Sequence, residues 1–390
     1  MNSEWERCTL DKLVLLQRGH DLSTSKRGKG NIPVAGSNGI VGFHDKSKGI
    51  VPGVTIGRSG SIGNTQFFDS EYFPLNTTLY VTDFLGNYPK FVYYFFKRFD
   101  FSAFDSGSVQ PSLNRNFLYT AIIDKPGLSD QKAIAHILGT LDEKIQLNKK
   151  NNETLEDIAK ALFKSWFIDF DPVKAKKGGS LLGLSKDISD LFADSFEDSI
   201  FGEIPQSWKV SKFGKLCTPK RGKVITKKTI ITGKIPVIAG GLNPAYYHSK
   251  SNASSPVVTI SASGNAGYVN LYYEDIWASD CSYINKNVTD FIYFAHSFLK
   301  FNQNKIYHLR HGAVQQHINP NDLMGLDFVF PPVNLINKYE LIVTPLHNKI
   351  SNNLNEINTL FSLKELLLRE LISGKLRVPD AEKMIEEIGI

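Results

Sequence analysis

The chain has 390 residues, 42% of them hydrophobic and 22% charged, enough for two or three domains that each bury a core, and no run of about 18 apolar residues is present to cross a bilayer. Met1 to Leu10 carries Glu4, Glu6 and Arg7 where a secretion signal needs an apolar stretch, so a cytoplasmic location is expected. Cys8, Cys217 and Cys281 are odd in number and widely spaced, which excludes a disulfide framework and a paired-cysteine zinc site.

The net charge of +6 is unevenly placed: +3 over residues 1–127, −3 over 128–200, +7 over 201–332 and −1 over 333–390. Residues 1–127 predict a globular domain of short β-prone runs, such as Val54 to Ile56 and Thr77 to Val81, bounded by turn residues. Within it Phe91 to Phe99 has helical length and is apolar on too many sides for a surface helix. Tyr93 and Tyr94, and Tyr293 and Phe294 in the matching stretch Phe291 to Phe301, therefore read as core and not as base-stacking platforms.

Residues 128–172 predict a helical spacer with a heptad seam through Ile134, Leu138, Leu141, Ile145, Asn148, Asn152, Leu155, Ala159, Leu162 and Trp166. An acidic connector is expected over 173–200 and a second globular domain over 201–332. A second spacer over 333–378 carries the seam Val343, Leu346, Ile350, Asn353, Ile357, Leu360, Lys364, Leu367 and Leu371, followed by a tail over 379–390.

The second half repeats the first. Trp5, Arg18-Gly19 and Ile32-Pro33-Val34 fall on Trp208, Arg221-Gly222 and Ile235-Pro236-Val237 at a shift of 203. Gly36, His44, Thr55-Ile56, Ser59-Gly60 and Gly63 fall on Gly240, His248, Thr259-Ile260, Ser263-Gly264 and Gly267 at 204. Gly107, Gln110, Asn114 and Leu118 match Gly312, Gln315, Asn319 and Leu323 at 205, as do the two seams. Such order implies a tandem duplication. The expected fold class is mixed α/β (α+β): two globular domains separated by two long antiparallel coiled-coil helices, related by a pseudo-two-fold axis. Asn148 and Asn353 would face each other near its middle and set register.

The stretch Gly202-Glu203-Ile204-Pro205-Gln206-Ser207-Trp208-Lys209-Val210, with Trp5 to Leu10 as its counterpart, resembles the opening of target-recognition domains in the specificity subunits of type I restriction and modification systems. Leu155 to Phe167, Asp169-Phe170-Asp171-Pro172-Val173-Lys174-Ala175-Lys176 and Leu191 to Asp198 resemble the central region of that family. The resemblance implies a non-catalytic subunit that binds double-stranded DNA with two recognition domains and holds two modification subunits on its helices. Two restriction or motor subunits would complete the complex. No cofactor is expected in this chain; S-adenosylmethionine, ATP and Mg would belong to the partners.

Reading DNA needs cations for phosphates and hydrogen-bonding side chains for base edges. Three patches per repeat qualify. Arg18, Lys26, Arg27 and Lys29 match Lys220, Arg221, Lys223, Lys227 and Lys228. Ser37, Asn38, Arg58, Ser59 and Ser61 match Asn243, Tyr246, Tyr247, Ser261, Ser263 and Asn265. Ser106, Ser108, Gln110, Asn114 and Arg115 match Arg310, His311, Gln315, Gln316 and His317.

Fragments that suggest catalysis read better as structure. Asn243-Pro244-Ala245-Tyr246 departs from the adenine-methyltransferase signature Asn-Pro-Pro-Tyr at its third residue. Gly57, Gly60 and Gly63 have the wrong spacing for a nucleotide loop. His308, His311 and His317 have no counterparts in the first repeat and no carboxylate or cysteine at metal-ligand spacing, so no metal is expected. Asp142-Glu143-Lys144 reads as solvated charge on the heptad helix. The alternatives to a specificity subunit are a methyltransferase with built-in recognition domains, for which this length leaves no donor-binding domain, and a coiled-coil scaffold, which needs no basic globular parts.

Overall fold

The computed structural model describes residues 5–107, 110–179, 182–312 and 316–388. Two compact units divide it, Met1–Asn148 with Asn355–Ile390, and Lys149–Leu354. The division falls within both long helices, so each unit contains part of each.

Unit 1 opens with β1 (Glu6–Thr9), β2 (Leu15–Arg18), β3 (Ile32–Gly36) and β4 (Gly39–His44), and continues with β5 (Gly53–Gly57), β6 (Thr65–Phe68), β7 (Phe73–Pro74) and β8 (Thr78–Asp83). Helices α1 (Pro89–Arg98) and α2 (Arg115–Leu118), strand β9 (Ile122–Lys125) and the long helix α3 (Leu128–Phe167) follow. The strands form an antiparallel sheet in the order β2-β8-β5-β6, a second sheet β4-β3-β7 in which β3 and β7 run parallel, and the pair β1-β9. Strand β5 is buried along its whole length, as an alternation-free Gly-Val-Thr-Ile-Gly run in mid-sheet requires.

Unit 2 begins within α3 and adds α4 (Asp171–Lys177), α5 (Lys186–Ser189) and the hairpin β10 (Phe196–Ser199) and β11 (Gly202–Pro205). Strands β12 (Lys209–Lys212), β13 (Lys220–Arg221), β14 (Ile235–Ile238), β15 (Tyr246–His248), β16 (Val257–Ser261), β17 (Val269–Tyr272), β18 (Trp277–Ala278) and β19 (Cys281–Ile284) follow. Then come α6 (Ile292–Phe301), α7 (Gln303–His308), α8 (Pro320–Met324), β20 (Asp327–Phe330) and the long helix α9 (Val333–Ile372). Its sheets, β13-β19-β16-β17, β15-β14-β18 and β12-β20, repeat the strand order of unit 1. Three-dimensional topology therefore matches the duplication read from identities. A last helix, α10 (Val378–Ile388), returns to unit 1.

The aromatic helices are core, as their all-round apolarity predicts. Phe91, Tyr94, Phe95 and Phe96 of α1 are buried with Ile134, Leu138 and Leu141 of α3 and Leu360, Leu367 and Leu371 of α9. In unit 2 Phe294 and Phe298 of α6 join Phe163, Trp166 and Trp208. Burial also pushes the Cys217 and Cys281 thiols up to about 12, so both are neutral at physiological pH.

Three boundaries move. The first spacer ends at Phe167, and Phe170 in the left-handed region (φ +56) starts α4. The 173–200 connector is structured, since β10 pairs with β11 across its expected end (Glu197 opposite Ile204). The 379–390 tail forms most of α10, which buries Ala381 and Ile385 in the core of unit 1.

The seams pair antiparallel within each unit. Asp142 meets Lys364 while Lys144 meets Glu356 in unit 1, and Asn152 meets Asn353 while Tyr339 reaches the Ala159 carbonyl in unit 2. Ile145, Trp166, Ile350, Leu360, Leu367 and Leu371 are buried as expected. Leu155, Leu162, Leu346 and Ile357 are half-buried.

Two polar expectations change. Asn353 does not pair with Asn148; it donates to Asn152 Oδ1 at 2.7 Å, both side chains being buried. Asn148 is buried too, and its amide nitrogen has no partner among the described residues. The duplication explains the difference, because it places Ile357 where Asn152 stands, so unit 1 lacks the second amide. Asp142 is likewise not mere solvated charge: it accepts from Tyr94 Oη at 2.7 Å and pairs with Lys364 at 2.7 Å, at a half-buried position. Unit 2 has His347 and Ala159 at those two places. There a stack of His347 on Tyr293 (4.0 Å between centroids) and a 2.8 Å bond to Tyr273 Oη replace the ion pair.

An unpaired buried amide costs about 1–3 kcal/mol. Asn148→Leu is therefore expected to raise the urea midpoint, whereas Asn353→Leu, which strands Asn152, lowers stability by about 1–3 kcal/mol; equal effects would remove the distinction. Glu340 on α9 accepts the Phe294 amide at 2.7 Å, and burial pushes it up to about 7 from 4.5. Its folded form favours the neutral acid, so its contribution to stability is complete below about pH 4.5 and is lost as pH rises through about 7. Glu340→Gln, which keeps an acceptor, should stabilise the protein more at pH 8 than at pH 5, as read by urea denaturation at both values.

Candidate nucleic-acid interface

In each unit hydrogen bonds link members of the three patches that lie apart in sequence. Arg18 at the end of β2 donates to Asp21 Oδ1 at 3.2 Å. Asp21 in turn accepts from the Asn76 side chain, and the backbone carbonyl of Asn76 accepts from Arg58 at 3.5 Å. This joins the first patch to the second.

The second joins the third through the backbone. Leu113 donates to the Arg58 carbonyl at 2.8 Å and Gly60 to the Pro111 carbonyl at 3.2 Å. Ser61 Oγ lies 3.4 Å from Asn38 Oδ1, and the turn at Gly60 (φ +79) faces Gln110. Asp105 shapes the third patch by accepting the Gly107 and Ser112 amides at 2.9 and 2.8 Å, which hold its carboxyl below the usual range. Ser106 Oγ donates to the Ser112 carbonyl.

Unit 2 is built alike. Arg221 donates to Asp280 Oδ1 at 2.8 Å, and Ser263 donates to the other oxygen of that carboxylate. Ile318 donates to the Ala262 carbonyl at 3.1 Å and Asn265 to the Gly240 carbonyl at 2.9 Å. His311 and His317 exchange both backbone hydrogen bonds, and His311 Nε2 lies 3.2 Å from Asp322, a member of the capping box of α8. Arg310 stacks on Tyr307 at 4.0 Å and donates to Gln316 at 3.1 Å. Lys220, Lys223, Lys227, Lys228 and Asn243 are exposed, as are Lys26 and Lys29 in unit 1.

Some candidates are occupied elsewhere. Ser261 is buried within β16 and offers no surface for DNA. Asn114 caps α2 through the Asn116 amide, and Arg115 donates to the Leu16 carbonyl at 3.2 Å. Arg27 donates to the Val41 carbonyl at 2.6 Å, which pins the β3-β4 hairpin. Ser108 and Gln315 lie outside the described residues. His308 bonds the carbonyl of Asn304 in its own helix, and Asn243-Pro244-Ala245 belongs to the turn between β14 and β15.

Sequence reasoning missed one feature. Strand β4, at the edge of its sheet, exposes Ile40, Val41 and Phe43 where β15 exposes Tyr246 and Tyr247. The Gly36-Ser37-Asn38-Gly39 turn announces the hairpin, but an alternating strand normally hides one face, so its apolar residues give no sign of exposure.

A family model described as the type I restriction modification DNA specificity domain matches residues 2–157 and again 205–360. The chain is 26% identical over 326 residues to the type I restriction enzyme MjaIX specificity subunit of Methanocaldococcus jannaschii, covering 76% of this chain and 71% of that protein. Over 96 residues it is 40% identical to the HindI specificity subunit of Haemophilus influenzae, covering 25% of this chain and only 20% of the other. The fold matches the crystal structure of the type I restriction and modification S subunit from M. genitalium with a TM-score of 0.64, at 19% identity over 95% of this chain and 96% of that one.

Cations on phosphates release counterions, so binding weakens with salt in proportion to their number. Neutralising Lys220 and Lys223 together is expected to weaken binding to every duplex and make the dependence of log Kd on log salt shallower. A titration series in which the slope stays unchanged would remove this patch from the interface.

Proposed function

Because the chain belongs to the type I restriction modification DNA specificity domain family and carries that domain twice, we propose that each unit reads one half of a bipartite DNA target. The observation that carries this is the repetition of one architecture: the same strand order recurs in both units, and in each the arginine at the end of an edge strand is held by a carboxylate. Positive charge concentrates in the two globular parts, while the helical stretches are neutral to acidic, as befits one surface for phosphate and another for protein.

The long helices set the gap between the half-sites and dock two modification subunits. Both carry apolar side chains that no core covers: Leu147, Phe361 and Leu366 in unit 1, and Ile158, Leu341 and Leu354 in unit 2. Exposed apolar residues on otherwise polar helices fit helices of a partner. The chain itself is the non-catalytic subunit. Methyl transfer with S-adenosylmethionine, and cleavage with ATP and Mg, belong to the modification and restriction subunits. The complex works on cellular DNA, and the described residues contain no helix long and apolar enough to span a membrane.

Co-expression with the modification subunits followed by genome-wide methylation mapping tests the reading. The expected product is methylated adenine in a split motif with a gap of fixed length. Methylation of a single contiguous motif, or methyl transfer by this chain without partners, would overturn it.

A further inference from the structure

Arg221 is held from three sides. Its strand pairs with β19, Gly222 donates to the Cys281 carbonyl at 2.8 Å, and Lys223 donates to the Ala278 carbonyl at 2.9 Å. The backbone is so close that a Cβ on Gly222 would lie 2.4 Å from the Ser279 carbonyl oxygen, a distance that only glycine permits. The guanidinium then donates to one oxygen of Asp280, while Ser263 occupies the other. Both side chains of the pair remain partly exposed, at 42% and 29%.

The same construction stands in unit 1 with different parts. A Cβ on Gly19 would lie 2.2 Å from the Leu75 carbonyl oxygen, and Arg18 again donates to a carboxylate. That carboxylate is Asp21, because the register that pairs Arg18 with Leu79 and Arg221 with Ser282 puts Thr77, which has no charge, where Asp280 stands. Asn76 donates to Asp21 and keeps it in position. The equivalent arginine thus has a carboxylate partner in both units, supplied from two unrelated positions.

Stability does not account for this, since partly exposed ion pairs contribute little. Phosphate binding does not account for it either, because an adjacent carboxylate cancels much of the attraction that a phosphate needs. What the carboxylate preserves is direction. Arginine has five donors in a planar fork, and a fork held at one nitrogen presents its remaining donors over a narrowed range of angles, which favours bidentate pairing with O6 and N7 of guanine.

Resting on the function proposed above, we infer that Asp280 is a positioning residue that aims Arg221 at a guanine in one half-site, and that Asp21 and Arg18 form the equivalent pair for the other. Specificity at that base pair depends on the carboxylate, although the carboxylate touches no DNA.

The test selects a fully randomised duplex library with the full-length chain in complex with its modification subunits. The wild type is expected to enrich a split motif. Asp280→Asn should lower the preference for one G·C pair in one half-site about tenfold and leave the other half-site untouched. Its Kd for an unrelated duplex should hold or tighten, because a negative charge has been removed. Arg221→Lys, a change at an exposed position, keeps the charge but loses the fork and should erase the same preference. A motif unchanged in both variants, equal damage to both half-sites, or a parallel loss of affinity for the unrelated duplex would overturn the proposal. A wild-type complex that enriches no split motif would instead overturn the reading of the function, and the proposal with it.

Discussion

The antiparallel seam between α3 and α9 is the constraint on which both recognition folds depend. In unit 1 Ile134, Leu138 and Leu141 on one helix and Leu360, Leu367 and Leu371 on the other close a core that also holds the aromatic face of α1. In unit 2 Phe163, Phe167 and Tyr339 do the same for α6. The helix pair is therefore an integral wall of each domain. A slip of the seam would move α1 or α6, and with it the sheet whose loops carry the basic and amide-bearing surface.

Duplication supplied two copies of that plan, and divergence acted on its polar positions. Where unit 1 has the ion pair of Asp142 with Lys364, unit 2 has His347 and Ala159, and an aromatic stack stands in place of the charge. Among the described residues the buried amide pair of the seam is found in unit 2 alone. Such positions tolerate change when a whole hydrogen-bonded set changes together, because a single unmatched group is left with its full desolvation cost. Asn148 retains such an unmatched group.

Acidic residues organise the candidate interface although the globular parts that carry it are basic. Asp21, Asp105, Asp280 and Asp322 each accept from neighbours that shape a loop or hold a cation. A cluster of cations alone would repel itself and sample many geometries. Carboxylates at the right places make a smaller net charge but a more fixed array of donors, which suits reading of base edges better than grip on phosphates.

The duplication, the heptad seams, the core role of the aromatic helices and the placement of charge were all determined by the sequence, because each is a pattern of periodic or repeated side chains visible in one dimension. Family membership was legible for the same reason, in stretches such as Gly202 to Val210. Only the tertiary structure decided which polar groups meet. Asn353 finds Asn152 because antiparallel helices offset equivalent residues by several positions, and Arg221 finds Asp280 across 59 residues because β13 and β19 are neighbours in the sheet. Ser261, Asn114 and Arg115 look like surface donors in a list of residues, yet burial, a helix cap and a backbone carbonyl engage them. Composition says how many hydrogen-bonding groups a patch contains; the fold determines which are already satisfied, and only the rest are free to meet another molecule.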